Sequence, residues 1–105
     1  MSGSTVPRCG DAALKLVADY WVLRIIEELY IADSPLRFAA LQRALGDVSP
    51  VTLTARLRKL HDREIITRSE GVDGKASVSY ELSERGRAIL PVIQAISDFA
   101  APSHP

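Results

Sequence analysis

The sequence predicts a mainly α-helical domain that carries one small β-hairpin, which is an α+β fold. Apolar residues recur every three or four positions through much of the chain, and the spacing changes to two over residues 77–82, as in a half-buried strand. The dipeptide Asp73-Gly74, upstream of that segment, favours the tight turn of a hairpin. The length of 105 residues is enough for one hydrophobic core and too short for two domains.

Composition excludes several classes of protein. With 47% hydrophobic and 25% charged residues, the chain is too apolar to be disordered as a whole, and no uncharged apolar run approaches the roughly 18 residues of a membrane span. Residues 1–7 lack the apolar region of a signal peptide, so we expect a cytoplasmic protein without membrane contacts. The single cysteine, Cys9, can form neither an internal disulfide nor a cysteine-rich zinc site.

The charges are unevenly distributed, although the formal net charge is zero. Residues 37–68 hold seven basic and three acidic side chains, whereas residues 1–36 and 69–105 each hold three basic and five acidic ones. The middle third of the chain therefore carries the positive charge that a polyanionic partner requires.

Two helices are predicted in the first third of the chain. Asp11 is suited to cap a short helix over residues 12–18. A second helix follows over residues 20–31, and Pro35 lies just beyond its end. Its apolar stripe, which should face the core, consists of Val22, Ile25, Ile26 and Leu29.

The next segment reads as a helix, a tight turn and a second helix. Phe38, Leu41 and Leu45 mark the first of these helices. Gly46 is suited to the left-handed conformation that ends a helix, and Ser49-Pro50 is suited to beginning the next, over residues 50–63. The apolar face of this last helix contains Leu53, Leu57 and Leu60.

A two-stranded wing and a final helix complete the predicted fold. The strands cover residues 65–69 and 77–82. Ser83 is suited to cap the final helix, in which Pro91 either causes a kink or begins a new segment. We expect a flexible tail at residues 1–8, one domain at residues 9–100 and a second tail at residues 101–105.

The predicted layout places a basic helix next to a protruding hairpin. A single helix fits the major groove of a DNA duplex, and a neighbouring wing can reach the backbone or minor groove. Unpaired amides near Ser49, Val51 and Thr52 are expected to donate to a phosphate. Basic side chains concentrate within thirteen residues, namely Arg56, Arg58, Lys59, Arg63 and Arg68. The alternative is that they form an ordinary solvated face.

A distributed pattern of residues strengthens the DNA-binding interpretation. It comprises Leu36-Arg37-Phe38, Leu41, Arg43, Leu45, Val48-Ser49-Pro50, Thr52-Leu53-Thr54, Arg56-Leu57, Leu60, Ile66-Thr67-Arg68, Val78, Tyr80-Glu81-Leu82-Ser83 and Gly86. Over roughly residues 9–99 the chain resembles the HxlR family of bacterial winged helix-turn-helix transcription regulators. The resemblance implies a homodimer, paired through its N- and C-terminal helices, that binds double-stranded operator DNA.

The resemblance also implies a set of DNA contacts on the recognition helix, residues 50–63, and on the wing. The contacts that the resemblance implies are Thr52, Thr54, Arg56 and Lys75. Together with the helix start and the basic residues, the full set of expected contacts is Arg37, Ser49, Pro50, Val51, Thr52, Thr54, Ala55, Arg56, Arg58, Lys59, Arg68 and Lys75. Val51 and Ala55 stand where family members often carry Lys or Gln, so we expect base recognition either to rely on apolar contact with thymine methyl groups or to be weak. Glu64 replaces the usual glycine after this helix, which requires either an unusual backbone angle or a different helix end.

Further roles follow from the same resemblance. Cys9 stands where many family members carry a cysteine that senses oxidants, quinones or aldehydes, although their Cys-Pro is Cys-Gly here. An inert thiol is the alternative. Tyr20, Trp21 and Phe99 are candidates for a pocket that binds an aromatic or electrophilic effector, whereas a core position is the competing interpretation of Trp21. The expected dimer interface contains Leu14, Leu90, Ile93 and Ile96.

The sequence lacks the features of an enzyme or a metal site. His61 has no second ligand at metal spacing, and neither a Ser-His-Asp group nor a glycine-rich phosphate loop is present. We therefore expect no cofactor and no catalysis. The favoured function is a dimeric transcriptional regulator, a repressor, and the further hypothesis is control by redox or electrophile chemistry at Cys9 or by a small aromatic effector. The alternative is a winged-helix module that binds another protein instead of DNA.

Overall fold

The computed structural model describes residues 10–71 and 74–102, and the side chains of residues 10–71 and 77–102. The fold is mostly helical with a small antiparallel sheet, which confirms the predicted fold class. The elements in chain order are α1 (Asp11–Val17), α2 (Tyr20–Ala32), β1 (Leu36–Arg37), α3 (Phe38–Ala44), α4 (Pro50–Asp62), β2 (Ile66–Gly71), β3 (Gly74–Leu82), α5 (Glu84–Arg87) and α6 (Leu90–Ala100).

The beginnings of α1 and α2 differ from the sequence-based expectation. The predicted cap at Asp11 is wrong, because Gly10 is the N-cap of α1 and Asp11 is the first helical residue. Asp11 instead forms an ion pair with Lys15, one turn later, at 3.1 Å. The side chain of Asp19 caps α2 by accepting a hydrogen bond from the Val22 amide at 3.1 Å.

The turn between α3 and α4 follows the prediction closely. Gly46 ends the first helix with a φ of 79°, in the left-handed region that glycine tolerates without strain. Ser49 caps α4, and Pro50 occupies its first turn. Gln42 also donates from Nε2 to the carbonyl oxygen of Val48 at 2.8 Å, and this bond fixes the end of the turn.

The wing belongs to a three-stranded sheet, so the prediction of two strands was incomplete. The strand order is β1-β3-β2, and all pairs are antiparallel. In the added strand, Leu36 pairs with Tyr80 and Arg37 with Ser79. A strand of two residues is too short for an alternating pattern to be recognised. The predicted turn residue Asp73 lies outside the described residues.

The segment after α4 uses an unusual backbone angle, the first of the two alternatives for Glu64. This residue has a φ of 63°. The Ser83 hydroxyl donates a hydrogen bond to the Glu64 carbonyl oxygen at 2.6 Å. As the cap of α5, the same hydroxyl accepts a hydrogen bond from the Gly86 amide at 2.9 Å. A separate helix, α6, then begins with Pro91 in its first turn, so Pro91 begins a new segment instead of kinking a single helix.

The core lies between α2, α3, α4 and the sheet, and it buries the apolar stripes predicted for α2 and α4. Its buried residues are Leu16, Val22, Ile25, Ile26, Leu29, Leu41, Leu45, Val48, Leu53, Leu57, Leu60, Ile65, Ile66 and Leu82. Helix α6 contributes no buried residue. Among the described residues, no helix combines the length and apolarity needed to cross a bilayer.

The domain limits remain predictions. The expected tail at residues 1–8 lies outside the described residues, as does the end of the expected C-terminal tail at residues 103–105.

Candidate nucleic-acid interface

The outer face of α4 combines apolar and basic side chains. Val51 is 80% exposed, and Thr54, Ala55 and Arg58 are exposed beside it. Together with Pro50 they line a shallow, largely apolar recess. The helical period places these residues opposite the buried row of leucines, as the sequence predicted. This face has the shape of a helix surface that can enter a groove, and Arg58 places one positive charge at its margin.

The start of α4 is closed by its own side chains. The Ser49 hydroxyl accepts a hydrogen bond from the Thr52 amide at 3.1 Å and lies 3.0 Å from the Thr52 hydroxyl. The expectation of an unpaired amide at Thr52 was therefore wrong, because the cap residue uses it. Ser49 and Pro50 are exposed, whereas Thr52 is half-buried.

A groove between α4 and the sheet brings further basic groups together. It has a volume of about 320 Å³ and is lined by Phe38, Thr54, Leu57, Arg58, His61, Arg68 and Tyr80. Arg68 also forms an ion pair with Glu70 at 3.3 Å. A hydrogen bond with the Tyr80 hydroxyl is the main cause that raises the pKa of Arg68. This arginine therefore keeps its charge at any physiological pH. The groove thus supplies two permanent positive charges at the edge of the helix.

His61 belongs to this groove, and the sequence interpretation missed it. The sequence analysis considers His61 only as a metal ligand. Its position three residues after Arg58 places both side chains on adjacent parts of one helix surface, and this spacing was the available signal.

Arg56 does not point outward with the other basic residues. Its Nε donates to Oδ2 of Asp19 at 2.9 Å, and the two side chains are 33% and 17% exposed. The other carboxylate oxygen of Asp19 accepts a hydrogen bond from the Val22 amide. Sequence reasoning missed Asp19, because nothing local relates it to a residue 37 positions away.

The environment of Asp19 favours its ionised form. Burial raises the pKa of this carboxyl, but hydrogen bonds from the Val22 amide and Arg56 outweigh burial, and the positive charges of Arg56 and Lys59 add to them. The pKa of Asp19 therefore lies below its ordinary value of 3.8. Because the folded pKa is lowered, the stability that this carboxylate contributes is present above pH 3.8 and is lost as the pH falls through the folded value.

The family of the chain follows from this fold and from a match along most of its length. A model of the HxlR-like helix-turn-helix family matches residues 16–104. The chain belongs to this family. The match covers the helix-turn-helix, the sheet and α6 of the HxlR-like protein described here.

Two similar proteins of Bacillus subtilis are named as transcriptional regulators. The uncharacterized HTH-type regulator YdzF is 35% identical over 83 residues, which cover 79% of this chain and 75% of YdzF. The HTH-type regulator YodB is 30% identical over 98 residues, which cover 93% of this chain and 86% of YodB. The HxlR-like protein is therefore a DNA-binding transcriptional regulator and not an enzyme, as predicted.

Solved structures of YodB extend this similarity to the fold. The reduced form has a TM-score of 0.75 at 28% identity and covers 90% of this chain and 92% of that one. YodB has also been solved in diamide-treated and quinone-bound forms. The former has a TM-score of 0.71 at 29% identity and covers 89% of this chain and 92% of that one.

The remaining predicted site residues of the HxlR-like protein are widely spaced. Arg37 is exposed at the N-cap of α3. Lys59 is half-buried on the side of α4 that faces Asp19. The backbone of Lys75 lies at the beginning of β3, but its side chain is outside the described residues, as is all of Cys9.

The residues predicted for an effector pocket differ in their surroundings. The rings of Tyr20 and Trp21 meet edge to face, with their centroids 4.9 Å apart. Trp21 packs against the core, in agreement with its interpretation as a core residue, whereas Phe99 is 91% exposed. Tyr20 lines an open groove of about 360 Å³ between α2 and α6, which also contains Ile93 and Ile96.

The residues predicted for a dimer interface fall into two groups. Leu90 and Ile93 are half-buried against the core of their own chain. Leu14 on α1 and Ile96 on α6 are exposed. On α6, Val92 and Phe99 are exposed on the same side as Ile96, at helical spacings of four and three residues.

Proposed function

We propose that this protein is a homodimeric repressor that binds operator DNA by placing α4 in the major groove. The observation that carries the proposal is the outer face of α4, where exposed Val51, Ala55 and Arg58 adjoin a groove that contains Arg68. A helix of this kind fits the width of a major groove, and positive charge at its margin is complementary to the negative phosphates on either side of the groove. Binding at an operator that overlaps a promoter would repress transcription.

The composition of this face favours thymine-containing half-sites. Val51 and Ala55 offer methyl groups and no hydrogen-bond donors, and the methyl group of thymine is the apolar feature of the major groove. The hydroxyl of Thr54 can donate or accept beside them. Arg58 and Arg68 would contact phosphates, which set affinity and register and do not identify bases.

The exposed apolar side of α6 supports the homodimer. Val92, Ile96 and Phe99 form an unpartnered surface that a lone domain of this size would leave in contact with water. Leu14 on α1 is a further exposed apolar side chain that is available for pairing. A symmetric pair of such surfaces would place two copies of α4 on one side of a near-palindromic operator.

Salt dependence of DNA affinity tests this function. For about six phosphates neutralised by each dimer, the logarithm of affinity should fall with a slope of about −5 against the logarithm of salt concentration. The measurement is fluorescence anisotropy with duplexes from the region upstream of the protein's own gene. Arg58→Gln should make the slope shallower by about two, one contact for each protomer.

Lys15→Gln is the matched control, because Lys15 lies on α1 in an ion pair with Asp11. It should leave the slope unchanged. A titration without salt dependence would favour the alternative, a winged-helix module that binds another protein.

We further propose that oxidants or quinones regulate operator binding through Cys9. The support is the similarity to YodB, whose structures include diamide-treated and quinone-bound forms. With one cysteine in each protomer, oxidation by diamide would join two chains through an intermolecular disulfide. Diamide or a quinone should therefore change operator affinity of the unaltered protein and not of Cys9→Ser, measured in the same anisotropy assay. Equal responses of the two proteins would refute a role for the thiol.

A further inference from the structure

We infer that Arg56 is a positioning residue of the recognition helix and not a DNA contact, and that Asp19 holds it in place. This inference rests on the proposed function, because positioning α4 matters only if α4 meets DNA. Asp19 and Arg56 belong to two different helices, α2 and α4. The sequence analysis assigned Arg56 to the DNA-binding surface.

The geometry of the pair is that of a tie between two helices. Asp19 uses one carboxylate oxygen to cap α2 through the Val22 amide at 3.1 Å and the other to accept from Nε of Arg56 at 2.9 Å. Arg56 lies near the middle of α4. One carboxylate therefore joins the N-terminus of α2 to the middle of the recognition helix.

The burial of the pair argues against an exchange of partners on DNA. An ion pair at the protein surface contributes little, but here Asp19 is only 17% exposed. If Arg56 turned toward a phosphate, this carboxylate would lose the partner of its ion pair while a second negative charge approached it. Removal of one partner from a half-buried pair is unfavourable for this reason. Arg58 and Arg68, in contrast, can reach a phosphate without uncovering a buried charge.

The side of α4 on which Arg56 lies supports the same conclusion. Residues 51, 55 and 58 lie opposite the buried leucines, whereas Arg56 lies at the margin of the buried row, where α4 faces α2. Thr52, one turn earlier on the same margin, is also half-buried. A guanidinium at this margin fixes the rotation of α4 about its axis, and this rotation decides which side chains meet the bases.

The test compares Arg56→Gln, Asp19→Asn and the double variant with the unaltered protein. Asn is chosen because it still caps a helix, so Asp19→Asn removes the charge and keeps α2 intact. Each single variant should weaken operator binding roughly five- to tenfold, and the double variant should be no weaker than either single one, because the two residues act as one unit. The salt slope should stay unchanged in all of them, whereas it becomes shallower in Arg58→Gln.

Several results would overturn the inference. Tighter operator binding by Asp19→Asn would show that Asp19 withholds Arg56 from DNA. A shallower salt slope in Arg56→Gln, or an unchanged affinity, would show that Arg56 contacts phosphate or does not position the helix.

A second readout does not depend on DNA. The unfolding midpoints of the four proteins should show the same non-additivity, and additive effects would refute the tie between the helices. A failure of the unaltered protein to bind DNA, with this coupling present, would refute the proposed function and with it the role of the pair in DNA binding. In that case the tie between the helices itself would stand.

Discussion

Replacement of Gly86 by alanine should destabilise the domain by about 3 kcal/mol or more. A Cβ atom at this position would overlap the carbonyl oxygen of Ile65 and lie 3.1 Å from its carbonyl carbon. Both are backbone atoms, and the Ser83 amide holds the same carbonyl oxygen by a hydrogen bond of 3.0 Å. The backbone at Ile65 therefore cannot move aside without loss of the Ser83 contacts that join the start of α5 to the segment after α4.

The expected loss is a large part of the 5–15 kcal/mol that stabilises a typical domain. For a domain of about 100 residues it corresponds to a decrease of more than roughly 10 °C in the melting temperature, measured by circular dichroism. Gly10→Ala is the matched control, because nothing lies within 4 Å of a Cβ atom there. Similar melting temperatures for Gly86→Ala and Gly10→Ala would contradict the close approach of α5 to Ile65.

Replacement of Ile96 by lysine should abolish the proposed dimer. A charged side chain on the exposed apolar side of α6 would have to be desolvated in the interface without a partner, which is strongly unfavourable. A monomer loses the benefit of binding two half-sites together, and affinity for a full operator should decrease by about 100-fold or more. The measurements are sedimentation velocity and anisotropy with a full operator and with a single half-site.

Gln94→Lys is the matched control for this variant. It places the same charge on the polar side of the same helix, where Gln94 contacts Asp98 at 2.9 Å. A dimer that persists in Ile96→Lys would assign the interface to another surface. An unaltered protein that is monomeric at micromolar concentration would refute the homodimer itself.

The elements that the sequence predicted correctly are those whose apolar spacing is long enough to count. In α2, the stripe of Val22, Ile25, Ile26 and Leu29 is buried as expected, and the leucines of α4 behave in the same way. Because α4 is a regular helix, the burial of one side also determined that Val51, Ala55 and Arg58 would be exposed. Local turn chemistry was similarly reliable at Gly46 and Ser49.

The failures at β1 and at Arg56 have a common physical origin in contacts between distant parts of the chain. Strand β1 exists because Leu36 and Arg37 pair with β3, more than 40 residues away, and two residues carry no pattern of their own. Arg56 lies at the margin of the buried row, where the helical period does not distinguish solvent from a neighbouring helix. Its partner, Asp19, was identifiable only after α2 and α4 had been packed together.

The central position of β3 in the sheet divides the wing into parts that differ in their tolerance of evolutionary change. At its base, Ser79 and Tyr80 pair with β1 on one side and β2 on the other. Toward Gly74 this strand pairs with β2, and the register shifts between Ser69 and Gly71. A length change at the tip leaves the base unaltered, whereas an insertion of one residue at the base would reverse the alternation of every strand side chain that follows. The length of the wing tip can therefore vary without a change in the strand pairing at its base.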